Sequence, residues 1–291
     1  MPRQDVSHPP RQRIPAAALV IAGVFGLEGG ATLATSVIAQ AGVAGTVALR
    51  LGFGAVGLLI VARPHRRAWS MATGRRAAAV GLLLAAHHVC FYAAIHRLPL
   101  GVAVTLEFVG PLVVALVGSR RLTDLAWACL AGVGVVATAG ISAPGRINAV
   151  GIVLALAAGA SWATYIVVFP RLASRVGRAD ALALATLAGA VVAVPVGAAL
   201  AGARMASVHV LLLGAAVAFL ADVVAYSLQA EALGRISPSL FSVLTSTEPA
   251  AGALLGLIAL GQAITAVQWT GIALVSVAAI GASRAAAETT G

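Results

Sequence analysis

Ten apolar segments, each about as long as a membrane is thick, occupy almost the whole of this 291-residue chain. Crossing a hydrocarbon core of ~30 Å takes ~20 residues of helix. The spans read as 15–38, 43–62, 77–96, 99–118, 125–141, 149–169, 181–202, 208–230, 238–260 and 264–283. Inside lipid every backbone polar group needs a partner within the protein, and these segments lack the alternation of a barrel strand, so the class is an all-α membrane protein. Charged residues make up only 10% of the chain, against ~25% in soluble domains.

The net charge of +10 does not point to nucleic acid. All nineteen basic residues are Arg, scattered between apolar spans rather than gathered on an aromatic-rich face. Their distribution carries topology instead. With the N-terminus in the cytoplasm, Arg97, Arg146 and Arg204 fall on the far side and Arg50 within a span, leaving fifteen on the cytoplasmic side. That is a strong positive-inside bias, and adding or losing one helix would scramble it. Residues 1–14 read as a disordered cytoplasmic tail and 284–291 as a second cytoplasmic tail. The basic start followed by an apolar run is similar to a signal peptide, but the run continues past Glu28 without a small-residue cleavage site.

A weak internal repeat divides the chain. GATLAT at 30–35 is similar to GASWAT at 159–164, Tyr92 matches Tyr226, and Pro111 matches Pro249. The halves are 15–141 and 149–283, with five helices each. Because five is odd, the second half enters the membrane from the opposite side. Two inverted five-helix repeats are a common architecture of secondary transporters, with the substrate site near the midplane between them.

Four of the nine carboxylates lie inside spans: Glu28, Glu107, Asp222 and Glu248. Intramembrane acids are costly and tend to mark pathways. Pro111 cannot donate a backbone hydrogen bond, so it frees the carbonyl of Glu107; Pro249 likewise frees that of Thr245, beside Ser246, Thr247 and Glu248. Ser242 is a turn away. Such hydroxyls often only bond back to their own helix. Glu28 lies between Gly26 and Gly30, a small-residue face that admits a neighbouring helix. Arg50 is permanently charged, which leaves two readings: a structural pair with a glutamate, or a ligand for a substrate carboxylate. His87 and His88 lie near Tyr92, and only one of two adjacent residues lines a shared cavity, where it would act as a proton relay. Asp222 is one turn from Tyr226. Cys90 and Cys129 have neither metal nor disulfide spacing. Enzyme signatures are absent, and neither a cofactor nor a metal is expected.

The motifs EGGATLATSV (28–37), ALRLGFG (48–54), FYAAIHRLPLGVAVTLEFVGPLVVALVGSRR (91–121), AYSLQAEAL (225–233) and STEPAAGALLGLIALGQ (246–262) resemble the threonine/homoserine exporter branch of the drug/metabolite transporter superfamily, EamA type. The likeness covers about 15–283. It implies ten helices in two EamA units and proton-driven efflux of small amino acids. Some positions depart from the pattern: Gln229 and Gln262 stand where similar chains often have Glu, Glu28 where Gln is common, and Ala225 where a Pro often precedes the Tyr. These shifts bear on the proton-coupling residue more than on the fold.

The sequence thus reads as a multi-pass inner-membrane exporter of small zwitterionic metabolites, working by alternating access. Its partners are substrate, protons and lipid, not nucleic acid, and a homodimer stays open. Arg50 and backbone groups at the helix breaks would hold the substrate carboxylate, and Glu107, Asp222 or Glu248 its amine or a proton. Glu28, Tyr92, Pro111, Tyr226 and Thr245 complete the expected site. The rivals are an exporter of drugs or sugar derivatives, favoured by an aromatic cavity, and a non-transporting scaffold, favoured by tightly paired charges without a cavity. A channel would need a ring or filter of acceptors, which the sequence lacks. Single cysteines at positions 66 and 175 are expected to label from the cytoplasmic side and one at 146 from the opposite side; labelling of 66 and 146 from the same side would overturn the ten-span reading.

Overall fold

The computed structural model describes residues 14–116, 122–138, 148–233, 235–236, 241 and 244–287, and every regular element among them is helical. The elements are α1 (Ala16–Ala62), α2 (Met71–Ile95), α3 (Leu100–Glu107), α4 (Val109–Leu116), α5 (Leu122–Thr138), α6 (Ala149–Val176), α7 (Arg178–Ala201), α8 (Val208–Ala218), α9 (Ala225–Leu233), α10 (Glu248–Leu260) and α11 (Ala266–Ala287). Five stretches are long and apolar enough to cross a membrane: Ala16–Ala62, Met71–Ile95, Ala149–Val176, Arg178–Ala206 and Val208–Gln229. Shorter apolar helices lie at Leu100–Val114, Leu125–Thr138, Glu248–Leu260 and Ala266–Gly281. Large apolar side chains such as Ile60, Val191, Leu200 and Ile258 face outward, as they do where lipid completes the core.

At ~1.5 Å per residue, the 47 residues of α1 are too long for one crossing. Gly42 breaks the run with φ 70°, a backbone conformation that costs glycine nothing. Gly30 before the break and Gly54 after it both abut residues 217–223, so the two limbs of α1 fold back on each other. The break separates the expected spans 15–38 and 43–62.

Other spans differ from expectation in informative ways. Ser70 caps α2, accepting a bond from the Thr73 N–H at 3.2 Å, and α2 therefore begins before the expected residue 77. Hydropathy marks only the hydrocarbon-spanning part of a helix, while Arg75 and Arg76 belong to its polar end. The expected span 99–118 is two helices separated at Phe108, where Pro111 withholds its N–H. The expected span 208–230 widens to π-helical spacing over Phe219–Val224. In the expected span 238–260, α10 begins at Glu248, with Pro249 in its first turn. Both tails fall largely outside the described residues, as do Arg120, Arg121 and Arg146 of the arginine count.

The helix ends sort into two groups. At one end, the Ile14 carbonyl accepts a bond from Arg235, the turn Arg66–Trp69 meets α6, and Trp127 packs on Gly281. At the other end, Leu98 packs on Gly151 and the Leu100 N–H donates to Gln262 Oε1 at 2.8 Å. Between them, helices cross at small residues. The tightest crossing joins α4 to α6, where Gly110 and Gly159 leave room only for backbone. Gly159→Val is expected to lower the melting temperature sharply, because overpacking costs about 1–3 kcal/mol or more. Gly132→Val, where a Cβ meets open space, is expected to stay within about 0.5 kcal/mol of the parent. Melting of the purified chain in detergent checks both.

Candidate functional site

Arg50, on the second limb of α1, is 3% exposed. Its Nε and Nη2 both donate to Asp222 Oδ1, at 3.1 and 2.9 Å. Its Nη1 donates to the Tyr92 hydroxyl at 2.9 Å, and its guanidinium lies 5.8 Å from the centre of the Tyr92 ring. Asp222 sits within the π-helical turn, which adds a residue to one turn and re-aims the helix beyond it; such turns concentrate at functional sites. Gly54, one turn past Arg50, makes the space: a Cβ there would stand 2.7 Å from Asp222 Oδ2. The two expected roles for Arg50 thus meet a structural pair whose anion is Asp222 rather than a glutamate.

Beside this pair lies a small cavity of about 50 Å³. Glu28, Glu107, Pro111, Tyr226, Glu248 and one side of Arg50 line it. Glu28 is 3% exposed, and among the described residues its Oε2 has no hydrogen-bond partner. A Cβ on Gly252, one turn after Glu248, would lie 3.0 Å from that atom. Glu107 Oε1 stands 3.4 Å from His87 Nδ1. The Glu107 carbonyl, released by Pro111, abuts Gly159 of α6, so a neighbouring backbone covers it.

The nine expected site residues therefore divide. Glu28, Arg50, Glu107, Pro111, Tyr226 and Glu248 line the cavity. Asp222 and Tyr92 stand behind it, bound to Arg50. Thr245 lines an adjoining cavity of about 360 Å³ that shares Phe108, Pro111, Trp162 and Glu248 with the first. Of the other hydroxyls, Thr247 Oγ1 bonds back to the Leu244 carbonyl at 2.7 Å, Ser246 is buried, and Ser242 lies outside the described residues.

Seven other residues line the cavity: Leu27, Ala31, Val104 and Phe108, and a group of three rings, His87, Phe91 and Trp162, of which only His87 was singled out in the sequence, as one of two possible relays. The three rings meet, with centroids 6.1 Å apart for His87 and Phe91 and 5.2 Å apart for His87 and Trp162. His88 points elsewhere, its Nδ1 2.6 Å from the Leu84 carbonyl. The signal for Trp162 was present in GASWAT, where an aromatic interrupts a run of small residues facing Gly110. Among the described residues no group of three or more His, Cys, Asp or Glu side chains forms a metal site.

The EamA-like transporter family model matches residues 149–284. The threonine/homoserine exporter RhtA of Salmonella typhimurium (strain SL1344) is 36% identical over 271 residues, which is 93% of this chain and 91% of that protein. RhtA of Escherichia coli (strain K12) is 36% identical over 266 residues, 91% of this chain and 90% of that protein. The chain belongs to the EamA-like transporter family. It is an integral membrane protein related to metabolite exporters rather than to enzymes. A crystal structure at 20% identity aligns over 95% of this chain and 99% of that one with a TM-score of 0.63, a likeness of fold alone.

The Arg50–Asp222 pair makes a sharp expectation for this EamA-like protein. Removing one partner of a buried pair leaves an uncompensated charge, at about 3–5 kcal/mol, whereas replacing both with apolar side chains is close to neutral. Arg50→Met and Asp222→Leu are each expected to lower the melting temperature markedly, and the double variant to recover most of it. Equal loss in all three would show that the pair does not hold the bundle together.

Proposed function

We propose that the chain is a secondary active exporter of small amino acids or related metabolites, working by alternating access and coupled to protons. The observation that carries this reading is the cavity itself, where three glutamates converge beside a buried ion pair at the helix breaks before Pro111 and Pro249. A scaffold needs no such cavity and no unpaired Glu28. The threonine/homoserine exporters, similar over nine-tenths of their length, support the substrate class.

The domain reading supports it too. In a pair of inverted five-helix units, each span has a counterpart five places on. The packing suits that symmetry. The second limb of α1 meets α7, α3 meets α10, and α5 meets α11, each pair being counterparts. The first limb of α1 meets α9 as α6 meets α2, and the second limb meets α8 as α7 meets α2. The grouping of helix ends suits ten crossings with both termini in the cytoplasm and the protein in the inner membrane.

A route to the cavity supports loading from the cytoplasm. The adjoining cavity shares Gln229 and Phe241 with a groove that reaches Ala62 and Arg178, at the arginine-rich end. In this reading Glu107 and Glu248, with Glu28, carry the substrate amine or a proton. Arg50, Asp222 and Tyr92 position that site, Tyr226 completes its wall, and Thr245 lines the approach.

Four aromatic side chains, Phe91, Phe108, Trp162 and Tyr226, also line the cavity. They favour the rival reading, an exporter of drugs or sugar derivatives. Counterflow in proteoliposomes decides, with labelled threonine, homoserine, a sugar and a lipophilic drug offered in turn. Amino-acid counterflow is expected, with loss of at least about tenfold in Glu107→Gln and Glu248→Gln, since each removes a charge-assisted bond. Dissipating the proton gradient is expected to stop uphill movement. Counterflow of drug or sugar alone would give the function to the rival.

A further inference from the structure

We infer that the cavity recognises its substrate through a cationic ammonium group alone, so that the carboxylate of an amino acid is not required for binding. The inference rests on the transporter reading above and deepens it, from small amino acids to amines.

The charges around the cavity point this way. Arg50 is the one guanidinium on its wall among the described residues, and Asp222 already holds it at 2.9 Å with both side chains at most 6% exposed. Tyr92 takes a further N–H. Asp222 already balances the charge of Arg50, so an incoming carboxylate finds only the N–H groups not given to Asp222 and Tyr92, and no uncompensated positive charge.

The other groups facing the cavity are Glu28, Glu107, Glu248, His87 and Tyr226. Even with His87 charged and paired with Glu107 at 3.4 Å, two carboxylates are left without a basic partner among the lining residues. Glu28 adds an independent observation. It lines the cavity and is only 3% exposed, and its buried Oε2 has no hydrogen-bond partner among the described residues. An ammonium supplies three donors and the missing positive charge in one compact group. The rings of Trp162 and Phe91 add faces on which a cation is stabilised. A substrate carboxylate finds no cation there that is not already paired, so an amine without one fits at least as well.

Three probes sharing one skeleton test this on the purified full chain. L-threonine has both groups, L-threoninol has the amine with the carboxylate reduced, and 3-hydroxybutyrate has the carboxylate without the amine. Isothermal titration calorimetry is expected to give threoninol a Kd no more than about threefold weaker than that of threonine, and 3-hydroxybutyrate no binding at a hundredfold higher concentration, on the order of 3 kcal/mol or more by the usual conversion. Glu28→Gln is expected to weaken threoninol at least about tenfold with its melting temperature retained. The probe series needs no variant, so it decides even if Glu28→Gln fails to fold.

Binding of 3-hydroxybutyrate, or loss of threoninol binding while threonine still binds and counterflows, overturns the inference and leaves the exporter reading standing. Binding of threoninol by a chain that does not counterflow threonine supports the inference and removes the exporter reading. Binding of none of the three overturns the inference.

Discussion

A guanidinium does not release its proton in a protein, so a helix bundle that buries Arg50 must bring an anion to it. Asp222 arrives from 172 residues away along the chain, and the Tyr92 hydroxyl closes a second side. Three separate elements therefore meet at one point: the second limb of α1, the π-helical turn after α8, and α2. Local details depend on that meeting. Gly54 has no side chain because Asp222 occupies the space, and the helix carrying Asp222 widens where the acid sits. With Asp222 engaged, the glutamates of the neighbouring cavity have no free arginine to neutralise them.

The helical class and the apolar stretches were legible because hydropathy reports directly on the solvent a segment can tolerate, whereas the helix lengths differed wherever a polar end or a break intervened. Pro111 and Pro249 also marked real interruptions, since a missing N–H is a property of the residue and not of its surroundings. The Gly42 break was legible only as a boundary between two apolar runs. The π-helical turn, where the charge pair across the bundle also falls, was not legible at all, because nothing in the local pattern of 219–224 marks it. The same holds for the partner of Arg50, which periodicity cannot assign among several buried acids.

The site shows the same division. Glu28, Glu107 and Glu248 were visible as costly residues in apolar spans, and all three border the cavity. His87 was visible as half of an adjacent pair, but choosing it over His88 required the direction of each ring. Gln262 stood out in the sequence only as a substitution for an expected acid. In the fold its side chain accepts the N–H of Leu100, a bond between α3 and the end of α10 that no local pattern announces.

Under the inverted-repeat reading the two halves would share a frame but not a chemistry, and the difference bears on how an alternating-access cycle would move. The contact of the second limb of α1 with the α8–α9 region contains the Arg50–Asp222 pair. Its counterpart under the inverted-repeat reading is the contact of α7 with α2. There Gly81 lies against the Ala185 carbonyl and Gly189, so small residues and backbone meet without a charge pair. Opening the first contact separates two buried ions or moves them together, and separation is expensive in a site without water. Sliding the second breaks van der Waals contact between small surfaces, and any motion of α2 relative to Arg50 also breaks the hydrogen bond to Tyr92, so under that reading α2 and the second limb of α1 would move together more cheaply than apart.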